Sequence, residues 1–77
     1  MTIEEAVRAH RLRTLRESMG LSQWELAIRV GVYQTAVVNW EKGTRFPQWE
    51  NLRKLADIFG VSTDYLRTGN HDRRNSG

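Results

Sequence analysis

Ten of the 12 basic side chains in this 77-residue chain are arginines. The planar guanidinium forks onto phosphate oxygens and onto the edge of guanine, which a lysine ammonium does less well. A soluble surface that happens to favour arginine is the plain alternative. Other chemistry finds little to work with. His10 stands in a helical stretch and His71 in the C-terminal tail, and neither has a partner at metal-ligand spacing. Glu4, Glu5 and Glu50 sit where helices begin, and negative charge is favoured there by the helix dipole. With no cysteine, disulfides, thiolate metal sites and cysteine nucleophiles drop out together. No glycine-rich loop of the GxxxxGK kind is present. The chain reads as a non-enzyme with no metal and no cofactor.

Its length fits one domain with a modest core. The formal net charge is +3. No apolar run approaches the roughly 20 residues of a membrane span, and no signal-peptide pattern opens the sequence. The expected location is cytoplasmic.

The elements that must position any site are read from their punctuation, and all are helical. Thr2-Ile3-Glu4-Glu5 is a capping box that opens a first helix running to about Met19, with Gly20 as its stop. Leu12, Leu15 and Met19 form its apolar stripe, with Arg8 and Arg16 at the edges. Ile3 and Val7 lie nearly opposite, facing the C-terminus or a partner. A second capping box, Ser22-Gln23-Trp24-Glu25, begins a short helix that ends at Gly31. A third helix spans about Gln34 to Lys42 and stops at Gly43. Pro47 holds the chain out of helix until a fourth begins near Gln48, with Trp49, Leu52, Leu55, Ala56 and Phe59 repeating at threes and fours up to Gly60. Ser62 caps a last short helix carrying Tyr65 and Leu66. Residues 68–77 are polar and aperiodic, which predicts a disordered tail after a domain of residues 1–67.

Between Gln23 and Trp40, two short helices meet across Gly31. Ala27 is small where they must approach, and Val37 packs back into the angle. Ala-x3-Gly-x5-Val inside capped helices is how a helix-turn-helix closes. An ordinary helical hairpin with a glycine corner shares that spacing.

From Leu12 to Leu66 the chain resembles the Cro/cI-type (XRE, lambda-repressor-like) helix-turn-helix family. The matching residues are Leu15-Arg16, Gly20-Leu21-Ser22-Gln23, Leu26-Ala27, Gly31-Val32, Val37, Trp40-Glu41, Gly43 and Pro47. They continue through Leu52, Leu55-Ala56, Phe59-Gly60-Val61-Ser62 and Asp64-Tyr65-Leu66. The resemblance implies an all-α, compact five-helix domain whose helix-turn-helix covers residues 23–42. Its third helix would enter the major groove of double-stranded DNA. It places Gln34, Thr35 and Asn39 at base edges, with Val38 beside them. The chemistry agrees: Gln and Asn can bond the N6 and N7 of adenine as a pair, and a Thr or Val methyl can pack on a thymine methyl. Val38 lies about 100° round the helix from the core-facing Val37 and so should face outward.

Gln23 matches a family phosphate contact at the start of the second helix, where free N–H groups also favour an anion. Arg45 matches another, with Lys42 just before it. Tyr33 stands where the family has a capping Ser or Thr that can reach phosphate; it is a poor cap, and only its hydroxyl remains for the backbone. Gln48 likewise replaces a small polar residue. Trp40 and Trp49 fall on helix stripes and read as core. Trp24 is unusual for the family and could cover DNA backbone or pack on the first helix. The resemblance also points to an ion pair between Arg16 and Glu41.

The expected function is a transcriptional regulator, in the first place a repressor, working as a homodimer on a pseudo-palindromic operator. Val61, Thr63 and Tyr65 are the residues expected at the dimer contact. An antitoxin of a toxin–antitoxin pair and a restriction–modification controller use the same scaffold. A protein-interaction module without DNA affinity is the alternative from another class.

Overall fold

The computed structural model describes residues 1–70. Five helices follow in order: α1 (Ile3–Ser18), α2 (Gln23–Val30), α3 (Gln34–Lys42), α4 (Trp49–Phe59) and α5 (Thr63–Thr68), with no strand among the described residues. Both capping boxes form. Thr2 and Ser22 accept the backbone N–H of Glu5 and Glu25, whose carboxylates accept the N–H of Thr2 and Ser22 in return. Ser62 caps α5 by accepting the N–H of Tyr65. The starts of α3 and α4, at Tyr33 and Gln48, have no side-chain cap.

Helices α1 to α4 end by the same hydrogen-bonded closure, in which the residue after a left-handed glycine donates back to the carbonyl five residues before it. The donors are Leu21, Val32, Thr44 and Val61, and the acceptors are the carbonyls of Arg16, Ala27, Asn39 and Ala56. Three of the four donors are apolar and turn inward. Leu21 and Val61 are buried and Val32 is half-buried against the core. The core itself gathers Leu12, Leu26, Val30, Val37, Leu55 and Leu66, each almost wholly removed from solvent, with Trp40 and Leu52 beside them.

The α2–α3 corner is built from three residues. Ala27 and Val37 are buried at 1% and 0% exposure, and Gly31 turns the chain between them at φ +88°, a conformation that L side chains rarely adopt.

Several expectations are corrected. Met19 is not part of the α1 stripe. It is the cap residue, where the chain has left helical geometry, and it is 45% exposed. Trp49 is not core: it is the first residue of α4 and is 58% exposed. Val61 cannot serve as a dimer contact, because the closure at Gly60 folds it under α4 at 5% exposed. Thr68 belongs to α5, and Gly69 closes that helix by donating its N–H to the Tyr65 carbonyl. The expected tail therefore starts no earlier than Asn70, and residues 71–77 lie outside the described part. Ile3 and Val7 remain 83% and 47% exposed, on the wall of an open cleft that Phe46, Arg67, Thr68 and Asn70 also line.

Nothing lies within 4 Å of where a Cβ on Gly31 would sit, so a substitution there tests the backbone alone. Gly31→Ala should destabilise the domain by about 1–2 kcal/mol, and Gly31→Asn by less, since Asn tolerates the left-handed region better. Chemical denaturation checks both; an alanine variant as stable as the parent would show that the corner does not need this conformation.

Candidate nucleic-acid interface

The site is one face of α3 with its two flanks. Gln34 and Thr35 are exposed at its start, and no hydrogen bond among the described residues engages their side chains or that of Asn39. Thr35 and Asn39, one turn apart, share a hollow with Tyr33, Ala36, Trp40 and Arg45. Val38, half-exposed, lines the opposite flank with Lys42, Gln23 and Arg13. The structure thus brings Thr35, Asn39 and Arg45 together on one side of α3, and Val38, Lys42 and Gln23 on the other. Tyr33 is 86% exposed and accepts nothing as a cap, leaving its ring and hydroxyl at the rim of the first hollow.

Arg45 owes its place to the closure of α3. The Asn39 carbonyl accepts the backbone N–H of Gly43 at 3.1 Å, of Thr44 at 3.2 Å and of Arg45 at 3.4 Å. The Thr44 hydroxyl donates to the same oxygen at 3.2 Å. Here the residue after the glycine is polar and exposed, and the loop turns inward only at Phe46 and Pro47. Arg45 and Lys42 remain exposed beside the helix.

The pose of α3 is set from behind by a buried ion pair. Arg16 donates from Nε to Glu41 Oε2 at 2.7 Å and from Nη2 to Oε1 at 2.9 Å. The two side chains are 10% and 5% exposed. Arg16 Nη1 also donates to the Leu21 carbonyl at 2.8 Å, which ties the turn after α1 into the cluster. The bidentate bond to Glu41 raises the pKa of Arg16 further above its already high value, outweighing the opposing effect of burial.

Gln23 joins this cluster. Its Nε2 donates to Glu41 Oε1 at 3.1 Å, so the amide is held half-buried between α2 and α3. One of its two N–H hydrogens is spent on Glu41, and the other is left for an outside acceptor. At the start of α2, Glu25 is held below the usual carboxylate range by the N–H of Ser22. That capping box occupies the N–H groups of Ser22 and Glu25 and leaves those of Gln23 and Trp24. Trp24 does not join the core: it is 59% exposed, with Ile28 one turn on at 56%.

Arg13 escaped the sequence reading. It projects from α1 into the flank that holds Gln23, Val38 and Lys42. The available signal was its position one turn before Arg16 on the same helix.

Among the described residues no group of His, Cys, Asp and Glu could hold a metal ion, and no helix is long and apolar enough to cross a membrane.

Two short helices locked at a glycine corner, the second presenting unbonded amides between exposed cations, define a helix-turn-helix. A family model described as a helix-turn-helix domain matches residues 9–68, and the chain belongs to that family. Among its relatives is the SPbeta prophage-derived HTH-type transcriptional regulator YonR of Bacillus subtilis. It is 39% identical over 61 residues, which cover 79% of this chain and 56% of YonR. Repressor protein C2 of Salmonella phage P22 is 34% identical over 84% of this chain and 30% of its own length. This chain therefore spans about half of one relative and under a third of the other. The crystal structure of the P22 c2 repressor with the synthetic operator 9T superposes with a TM-score of 0.79 at 33% identity. That match covers 82% of this chain and 96% of the other. The lambda-repressor-like expectation for the fold holds, and the family is one of DNA-binding transcriptional regulators rather than of enzymes.

Removing Glu41 strands a buried guanidinium. Glu41→Ala should cost about 3–5 kcal/mol of stability. Gln23→Ala, which removes one hydrogen bond from a carboxylate still paired with Arg16, should cost about 1 kcal/mol. Urea denaturation measures both, and a Glu41→Ala midpoint equal to that of the parent would mean the pair carries no stability.

Proposed function

We propose that this chain is the DNA-binding part of a transcriptional repressor, which pairs two copies on a pseudo-palindromic operator and lays α3 in the major groove. The observation that carries the reading is the face of α3. Gln34, Thr35 and Asn39 present polar groups with no partner among the described residues, and Lys42 and Arg45 flank them. A solvated helix needs no such grouping; a duplex does, because bases are read in the groove while phosphates on either side fix the register. In this reading Gln34, Thr35, Val38 and Asn39 meet base edges. Gln23, Tyr33, Lys42 and Arg45 meet phosphates, with the second N–H of Gln23 pointing at one of them. The likeness to a repressor solved with operator DNA supports the same docking.

Pairing is proposed on general grounds. One domain of this size buries little surface on DNA, and two half-sites multiply the discrimination. Thr63 and Tyr65, both half-exposed on α5, are the residues proposed for the contact now that Val61 is excluded. Relatives that are phage repressors favour this role over an antitoxin or a module without DNA affinity.

Sequences selected from a random duplex pool would supply the operator. On it, Gln34→Ala should lose about 1–3 kcal/mol and almost nothing on random DNA. Arg45→Ala should weaken both duplexes alike and lower the salt slope by about one. Equal losses on both duplexes for Gln34→Ala would move that residue to the backbone contacts, and a parent that selects no sequence would remove the reading altogether. Footprinting with stoichiometry should find two chains on half-sites whose centres lie roughly 34–36 Å apart. One chain on a non-palindromic site would overturn the dimer.

A further inference from the structure

The four arginines of α1 have different employments. Arg16 is buried on Glu41. Arg8 lies over the Phe46 ring at 4.5 Å. Arg11 donates to the Leu66 carbonyl at 3.3 Å and faces the Tyr65 ring at 5.4 Å. Arg13 lines the hollow beside α3 with Gln23, Val38 and Lys42, and among the described residues its guanidinium forms no hydrogen bond or ion pair with another helix. Its partner is Glu17, one turn on, with Nε to Oε2 at 3.2 Å and the two side chains 60% and 54% exposed. Glu17 Oε2 also stands 4.0 Å from Arg16 Nη2.

We propose that Arg13 is a further phosphate anchor, and that Glu17 is an internal decoy competing with the DNA phosphate for the same guanidinium. The proposal rests on the DNA-binding reading above. A carboxylate and a phosphodiester offer a guanidinium similar pairs of anionic oxygens. An exposed pair one turn apart on a helix is weak and readily exchanged, so Arg13 can leave Glu17 for a backbone phosphate with little loss. Glu17 is not stranded by the exchange, because Arg16 stays within reach of it. The side chain of Arg13 enters on the flank where Gln23 and Lys42 already stand, so one run of backbone would meet all three. The decoy acts on a phosphate contact and therefore weakens binding to every DNA sequence by a similar factor, setting the level of background binding without touching base readout.

The test uses the full chain with Arg13→Gln, Glu17→Gln and both together, titrated against the selected operator and a random duplex over a range of salt. Thermal melts confirm that each variant is folded. Glu17→Gln should tighten binding to both duplexes by about two- to five-fold. Arg13→Gln should weaken both and lower the salt slope by about one, and Arg13→Lys should restore the slope. In the Arg13→Gln background, Glu17→Gln should change nothing. Tightening that persists in that background would show Glu17 acting through bulk charge and overturn the decoy. An unchanged salt slope in Arg13→Gln would overturn the anchor, while the DNA-binding reading would stand if Arg45→Ala still lowers the slope. A parent chain that binds neither duplex would overturn both.

Discussion

The carboxylate of Glu41 is the point on which the placement of α3 depends. It is a charge taken almost wholly out of water, which is costly unless every lone pair is answered. Arg16 answers from α1 with two bonds and Gln23 from α2 with one. Because Glu41 is itself on α3, any rotation of that helix breaks several short, charge-assisted bonds at once. An apolar contact in the same place would tolerate sliding; a forked ion pair has directions. The cluster therefore converts the burial of three helices into a definite orientation for the outward face of α3. It also reaches that face directly, because the Gln23 amide is fixed by Glu41 on one side and open on the other.

The rest of the architecture protects that arrangement. The corner at Gly31 sets the angle between α2 and α3, with Ala27 and Val37 packed inside it. Three helix ends turn an apolar residue into the core, whereas the end of α3 turns out with Thr44 and gathers its loop onto the Asn39 carbonyl. One residue thus has two roles: the backbone of Asn39 organises the loop that carries Arg45, and its side chain stays unbonded beside Thr35. The site is presented by rigid elements at both ends, which suits recognition by hydrogen bonds of fixed direction.

Much of this was legible in the sequence because it is written in local chemistry. Ser22 with Glu25, Gly31 and Gly43 mark the ends of α2 and α3 to within a residue, since caps and stops act on their own backbone. Family resemblance paired Arg16 with Glu41, a contact across 25 positions that no local pattern contains. What failed was the step from direction to burial. Trp49 shares the helical spacing of the α4 core stripe, yet it stands at the end of that helix and stays 58% exposed while Leu52, on the same turn, is buried. Met19 fails for another reason, as helical spacing stops applying at the cap residue. Val61 was misread although a signal was present: a glycine stop followed by an apolar residue also occurs at Gly20-Leu21 and Gly31-Val32, and each time the apolar residue turns inward. The bond from Gln23 to Glu41 had no signal, because a glutamine at a helix start reads equally well as solvated.

If the ion pair orients α3 rather than merely stabilising the domain, stability and recognition can be separated by replacing Arg16 and Glu41 together with apolar residues of similar size. Such replacements of buried pairs are often neutral in stability. The most direct measurement is the operator affinity of an Arg16→Met, Glu41→Leu double variant at a temperature where its denaturation curve shows it fully folded. The account predicts parent-like folding but operator binding weakened by about tenfold or more, because Gln23 has lost its partner and α3 its fixed direction. Parent-like affinity in that folded variant would contradict it and reduce the pair to one more piece of the core.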